Sequence, residues 1–543
     1  MGTIMARVRT FGSKRYWLCP AMTVLPLALV GPQAIAAESL FDASLKSAVY
    51  GYQLKTAEQS NKTDDLVWEL APTINWQRQS AAMKTRINWR HESLFYNDAQ
   101  PDKRSFNEFD FNNQISFFRE RLIWSLDASQ AYQIRNSRLG IFSDKITGAE
   151  NLSKTNRYGS GLLFRNLKSA KYRTELDLSY RNYDSAAAEV DDGLLSYRTE
   201  AYDGRWLFGT NDRGLNFFWQ YNGDIQRTER STDNNISGLL HGLVVGVPFA
   251  PKFSVIGRAG SERLDNGREY DNSFDYFGAG VEFRFGARSR INVTMNRSDS
   301  EAFGQRKETD TYAASQFLIA PTRRTSLEGS FDRRYFGRTW DLQGKYDLRF
   351  LSMRLRISDN VRTQNQFDRE LEDLGIFVCP VGSTDLSGCF KPPTDKYMPV
   401  FGETLLQVRG PNSELREELV EQRNLSVTVA YSKNRLNASI TLSDTELRYV
   451  ESGDFSTNQG AALQLSWKLT EHSQLLANVN YYDIDYRNEN RKDENLSASV
   501  SYQQQLTKRS DLRFTIRRLD RNSSIAEFDN SENRVWMEYT YKF

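Results

Sequence analysis

The chain ends on Val535-Trp-Met-Glu-Tyr-Thr-Tyr-Lys-Phe543, and the period of that stretch decides the fold. Val535, Met537, Tyr539, Tyr541 and Phe543 share one face at a spacing of two, while Trp536, Glu538, Thr540 and Lys542 share the other. An apolar, aromatic face closing on a terminal Phe is the pattern of the last strand of an outer-membrane β-barrel. Lipid lies on one side, water on the other, and rings mark the interface. The last strand of a soluble sandwich alternates in the same way, so the rest of the chain has to decide.

The same alternation recurs upstream. Leu122, Trp124, Leu126 and Ala128 share a face, as do Leu176, Leu178 and Tyr180, and then Leu425, Val427, Val429 and Tyr431. The connections alternate as well. Tight turns are expected near Ser80, Arg119, Lys168, Asn211, Pro251, Arg288, Pro321, Leu351, Lys433, Glu471 and Lys508. Longer polar connections separate them, for example 136–149, 184–192 and 519–530. Short periplasmic turns and long extracellular loops are how outer-membrane barrels are built, whereas a sandwich has no reason to segregate its loops. The fold class predicted is all-β: one large antiparallel transmembrane barrel of roughly 24 strands (about 22 to 26), an even number as in bacterial single-chain barrels. Around Gly238–Val247 both faces are apolar and that strand cannot be oriented. Gln364–Asn412 lacks alternation and makes the longest connection, on the outer side.

Residues 1–36 read as an export signal: Arg7, Arg9, Lys14 and Arg15 precede the apolar run Ala21–Val30, and Ala34-Ile35-Ala36 offers a cleavage site. The barrel is then expected to occupy 37–543, with no large N-terminal plug, in the outer membrane of a Gram-negative bacterium. The mature chain holds no long uncharged apolar stretch, and 26% of residues are charged, which excludes a helical membrane protein. Aromatic residues make up 13%, which suits barrel strands that are wet on one face. Lys and Arg number 71 against 69 Asp and Glu. That balance leaves no basic footprint for nucleic acid.

Little in the chain announces chemistry. His472 falls in a turn, His91 on the face of Ile87, Trp89 and Phe95, and His241 in the unoriented strand. None has a Ser or carboxylate at a spacing that marks a catalytic pair, so no enzyme is expected. There is no phosphate loop, zinc motif or nucleotide fingerprint, and hence no expected cofactor or metal. Cys379 and Cys389, in CPVGSTDLSGC, most simply form a disulfide in an exported chain, and metal binding is the lesser reading. Charges that alternate with apolar residues are expected to face a wet lumen: Glu175, Asp177, Arg354, Arg356, Arg513 and Arg517. They either bias passage or simply solvate the wall.

Several stretches together resemble the outer-membrane proteins associated with PEP-CTERM/exosortase systems. They are GYQLKTAEQSNKTDDLVWELAPTINWQRQ (Gly51–Gln79), TGAENLSKTNRYGSGLLF (Thr147–Phe164), EQRNLSVTVAYSKNRL (Glu421–Leu436), NQGAALQLSWKLTEHSQL (Asn458–Leu475) and SENRVWMEYTYKF (Ser531–Phe543). That resemblance implies a part in export or surface assembly of exopolysaccharide. It also implies periplasmic polysaccharide-export components as partners. A lumen of roughly 24 strands left open would compromise the outer membrane, so loops such as 364–412 or a partner are expected to narrow it. The alternatives are a general or solute-specific diffusion porin, and a surface scaffold or adhesin displaying its loops. Expected in every case are contacts with lipid and lipopolysaccharide and with the barrel-insertion machinery, which reads Tyr539, Tyr541 and Phe543. Deleting Phe543 is therefore expected to lower the amount of inserted barrel, measured as the heat-modifiable band on electrophoresis of outer membranes; an unchanged band would remove that role.

Overall fold

The computed structural model describes residues 38–56, 63–98, 102–134, 136, 140–166, 170–189, 196–211, 216–231, 235–265, 267, 272–286, 288–301, 307–363, 376–380, 403–407, 419–450 and 452–543. The strands, in chain order, begin with β1 (Glu38–Thr56), β2 (Thr63–Gln79), β3 (Met83–Tyr96), β4 (Lys103–Phe117), β5 (Leu122–Ile134) and β6 (Leu152–Arg165). Next come β7 (Tyr172–Ser185), β8 (Tyr197–Thr210), β9 (Phe218–Arg230), β10 (Ile236–Ala250), β11 (Phe253–Asp265), β12 (Asn272–Arg284) and β13 (Arg290–Glu301). Then follow β14 (Glu308–Ile319), β15 (Thr325–Arg334), β16 (Gly337–Asp347), β17 (Leu351–Thr363), β18 (Ile376–Pro380) and β19 (Glu403–Gln407). The last are β20 (Leu419–Lys433), β21 (Leu436–Tyr449), β22 (Phe455–Lys468), β23 (Ser473–Tyr486), β24 (Arg491–Thr507), β25 (Ser510–Ser523) and β26 (Asn530–Lys542).

All but β18 and β19 form one 24-stranded sheet in which each strand pairs antiparallel with its neighbours in sequence. The sheet closes because β1 also pairs with β26, in register from Ser44↔Lys542 to Thr56↔Asn530. A bilayer offers backbone groups no water to bond, so closure is what lets strands cross it. The protein is an outer-membrane β-barrel of a Gram-negative bacterium. The tight turns expected near Ser80, Arg119, Asn211, Pro251, Arg288, Pro321, Leu351, Lys433, Glu471 and Lys508 fall at or beside connections between consecutive strands at one end, which is also the end of Glu38 and Phe543, while Lys168 lies outside the described residues. β18 and β19 pair only with each other, within the long connection between β17 and β20.

The faces follow the two-residue period. On β26, Val535, Met537 and Tyr539 are exposed toward lipid, while Glu532 and Arg534 are buried inside. On β12, Phe277 and Val281 are exposed outward and Phe274 and Glu282 are fully covered inward. The unoriented strand is β10: Leu239, Leu243 and Val247 face out, and Ile236 faces in, buried. Its inner face is apolar as well because Ile236, Leu240 and Val244 alternate there with Gly238, Gly242 and Gly246, and the Phe218 ring leaves Gly246 no room for a Cβ.

An Arg at Val281, on the lipid side, is expected to destabilise the barrel by about 2–4 kcal/mol in urea unfolding from lipid vesicles. The same residue placed at Gln316, on the wet side, is expected to leave the midpoint near that of the parent.

Candidate functional site: two segments docked on the inner wall

A barrel of this strand number would enclose a channel wider than that of porins. Among the described residues, two segments of the chain fold inward from the wall. The first joins β5 to β6, and its described part covers Gly140–Asn151. Its sequence, GIFSDKITGAEN, carries Ile141, Phe142 and Ile146 where a solvated loop would be polar. Ile146 and Ala149 pack in a buried cluster with Tyr50, Tyr52, Val67, Leu94 and Phe106 on the inner wall of β1 to β4. Ile141 packs with Ile484 and Tyr486, and Phe142 with Tyr482, on β23. The segment thus runs across the β1–β26 seam from one side to the other.

Its polar groups are fastened to that seam. Asp144 Oδ2 accepts hydrogen bonds from Arg517 Nη2 at 2.7 Å and Arg534 Nη1 at 2.9 Å. Its Oδ1 accepts from the backbone N–H groups of Ile146 and Thr147 at 2.9 and 3.0 Å, which fixes the local turn. Glu532 joins both arginines, at 3.0 Å to Arg517 and 2.7 Å to Arg534, and accepts from the Thr147 hydroxyl. Two carboxylates thereby balance two guanidiniums, which is what allows Arg534 and Glu532 to be buried at 3% and 2% exposure. On the other side of the seam Lys145 bridges Glu92 at 2.9 Å and Glu108 at 2.8 Å. The Tyr96 hydroxyl donates to the carbonyls of Lys145 and Ile146. Gly148 has φ +108°, and a Cβ there would crowd Ser143 at 3.1 Å, so the return toward β6 depends on glycine.

The second inward element is the tip of the β15–β16 hairpin. β15 pairs with β14 only from Leu327 to Phe331, and β16 with β17 only from Asp341 to Asp347. Beyond those residues the tip leaves the wall and crosses the lumen. Arg334 grips Glu262 on β11 with Nε at 3.0 Å, and Arg258 on β11 holds Asp332 at 2.6 Å. Tyr335 is buried with Ile236, Leu264, Phe274 and Leu419. Where β16 departs, the Asp359 carboxylate replaces the lost ladder by accepting from the Trp340 N–H at 3.1 Å. A cavity of about 260 Å³ remains between tip and wall, lined by Asp203, Arg205, Asp224, Glu262, Arg334 and Tyr335 among others.

Of the candidates from sequence, Arg517 is half of the Asp144 clamp. Arg513 is on the same inner face and donates to Gln503 at 3.1 Å. Arg354 pairs with Asp347 at 2.8 Å, and Arg356 shares its face of β17. Glu175 accepts from Arg173 near the tight-turn end, and Asp177 stands opposite Arg205 in register. Tyr539, Tyr541 and Phe543 follow one another along the end of β26, the last two rings edge to face at 5.2 Å. Cys379 lies in β18; Cys389 and most of 364–412 lie outside the described residues. Sequence reasoning missed both inward elements. Their signals were an apolar loop among polar ones, and a two-residue turn, Tyr335-Phe336, at the end where connections are long. It also missed two partners of His91: Nε2 is 3.0 Å from Ser93 Oγ and Nδ1 is 2.7 Å from Asn107 Oδ1. His241 stands on the outer face beside Tyr221, and His472 in its turn meets Gln505.

No family model matches the chain, and no curated protein matches it. Among solved structures it is similar to the FrpB iron transporter from Neisseria meningitidis, at 9% identity and TM-score 0.43 over 93% of this chain and 81% of that one. It is similar to the siderophore receptor PirA from Acinetobacter baumannii, at 8% identity and TM-score 0.41 over 93% and 80%. It is also similar to the copper transporter OprC, at 10% identity and TM-score 0.40 over 92% and 80%. These findings correct the expectation of a role in exopolysaccharide export, together with its porin and scaffold alternatives. The similar barrels are named as iron and copper transporters and siderophore receptors, not as polysaccharide exporters, porins or adhesins.

Burial would raise the Asp144 carboxyl, but the guanidiniums of Arg534 and Arg517 outweigh it and hold the group well below the usual carboxylate range. A depressed carboxylate stabilises docking at all pH values above its ordinary value and loses that contribution only as pH falls through the lowered one. Hydrogen exchange in 140–151 is therefore expected to stay slow from pH 7 down to about 4.5. Asp144→Asn is expected to accelerate it at pH 7. Breaking a buried pair costs on the order of 3–5 kcal/mol, and less here because the Asp144 side chain keeps 29% exposure.

Proposed function

We propose that the protein is an outer-membrane transporter shut at rest by two parts of its own chain, which passes a selected solute when they are displaced. The observation that carries this reading is the Asp144 clamp: two arginines and two carboxylates, of which Arg534 and Glu532 are buried, fasten the segment to the barrel seam. Buried pairs of this kind add little net stability but fix one geometry over others. A cavity between hairpin tip and wall gives a solute somewhere to dwell inside the closed barrel. The solved transporters and receptors named above agree with this class of activity at the level of fold, and the cargo of those proteins is not transferred to this one. Barrel-insertion machinery acting on Tyr539, Tyr541 and Phe543 belongs to the same reading as the partner in assembly.

The test is conductance in planar bilayers. The parent protein is expected to give little steady current. A variant in which Gly140–Gly148 is replaced by a short glycine-serine link, with the 335–336 turn moved back to wall level, is expected to open a large and lasting one. A large steady current from the parent itself would overturn the proposal.

A further inference from the structure

On the lipid-facing side of β3 and β4, near their extracellular ends, three polar residues make a chain. His91 and Ser93 are two apart on β3 and so share a face, and Asn107 is directly opposite His91 on β4. Asn107 Oδ1 is 2.7 Å from His91 Nδ1, and Ser93 Oγ is 3.0 Å from His91 Nε2. An amide oxygen can only accept, so Nδ1 carries the proton, and Nε2 is left with its lone pair toward the serine hydroxyl. The ring is held in that orientation by stacking on Trp89, 6.4 Å away at 15°. The Gln130 amide fixes Asn107 from β5 by donating to its backbone carbonyl at 2.6 Å. Nucleophile, base and orienting group are therefore in line, which is the geometry by which such sites are recognised on unrelated folds.

We infer that Ser93, His91 and Asn107 form a serine esterase site that cleaves acyl esters of membrane lipids in the outer leaflet, an activity separate from transport. Its placement sets the substrate class. Exposed Phe109 lies below Asn107 on the same face, while exposed Leu70 and Trp68 flank Ser93 and Phe95 on β2. Apolar side chains therefore flank the polar trio toward the strand ends, on the side from which lipid ester carbonyls would approach. Lys103, whose ammonium stands 5.3 Å from the Phe95 ring centroid, brings a cation to the same face for a lipid phosphate. Ser93 itself is 8% exposed, and turnover requires its hydroxyl to open to both the ester and water.

The chemistry closes without any cofactor. Ser93 Oγ attacks the ester carbonyl carbon as its proton passes to His91 Nε2, and Asn107 holds the imidazolium in place. The carbon–oxygen bond to the glycerol or sugar breaks, and the leaving oxygen takes the proton from Nε2. Water then attacks the acyl–Ser93 ester, gives its proton to Nε2, and the fatty acid leaves as the hydroxyl of Ser93 is restored.

The full-length protein in detergent should be given phosphatidylethanolamine micelles and, separately, lipopolysaccharide, with free fatty acid measured by mass spectrometry. Release is expected from at least one, and the one cleaved identifies the lipid. Ser93→Ala and His91→Phe are expected to lose about 10³-fold or more, and Asn107→Leu less, each with the parent's heat-modifiable mobility. Hexadecanesulfonyl fluoride is expected to add its mass at Ser93 of the parent and not of His91→Phe. No release above the Ser93→Ala level from either lipid, together with an unmodified Ser93, would overturn the inference. That result would leave the conductance test of the transport reading untouched.

Discussion

The constraint behind every feature of this molecule is that a strand in a bilayer must bond its backbone to other strands, with no water to substitute. Closure of β1 on β26 meets it, and alternation does the rest. Once the sheet is closed, the two-residue period sends Val535 and Met537 to lipid and Glu532 and Arg534 inward. The charges that the lipid face cannot carry collect inside, where they become available for holding other segments. Interior polarity in such a barrel is thus a by-product of crossing the membrane and also the material from which a closure can be built.

That closure is placed at the seam. The segment Gly140–Asn151 is fastened to β25 and β26 through Asp144 and to β3 and β4 through Lys145, with an apolar centre at Ile146 between them. The arginines on one side of the seam meet Asp144 and the glutamates on the other meet Lys145, each a pair of opposite sign, so the fit has one register. The hairpin tip uses the same principle on the opposite wall, where Arg334 and Asp332 meet Glu262 and Arg258 around Tyr335. In both cases aliphatic and aromatic contacts supply burial, and balanced ion pairs specify position.

How much of this was legible in the sequence differs by level. Strand number, turn placement and facing follow from period and turn chemistry, because each strand repeats the same local rule. β10 resisted because its inner face carries Ile236, Leu240 and Val244 between glycines that admit rings such as Phe218, so both faces are apolar. The inward elements were hidden because folding into the lumen depends on partners on other strands, from 72 residues away for Arg334 and Glu262 to 390 for Asp144 and Arg534. Arg517 was identifiable as lumen-facing but not as a clamp, and Ser93 lay two residues from a histidine while its third member sat on the next strand. Periodicity gives the face of a residue; only register gives its neighbour.

The account stands on the docked position of Gly140–Asn151. It is tested most directly by a disulfide between Thr147→Cys and Glu532→Cys, in a background where Cys379 and Cys389 are Ser, assayed in outer membranes of intact cells. Rapid, near-complete crosslinking before any reductant or denaturant is added is the result this account predicts. Free thiols at both positions, open to a bulky membrane-impermeant maleimide from outside, would contradict it.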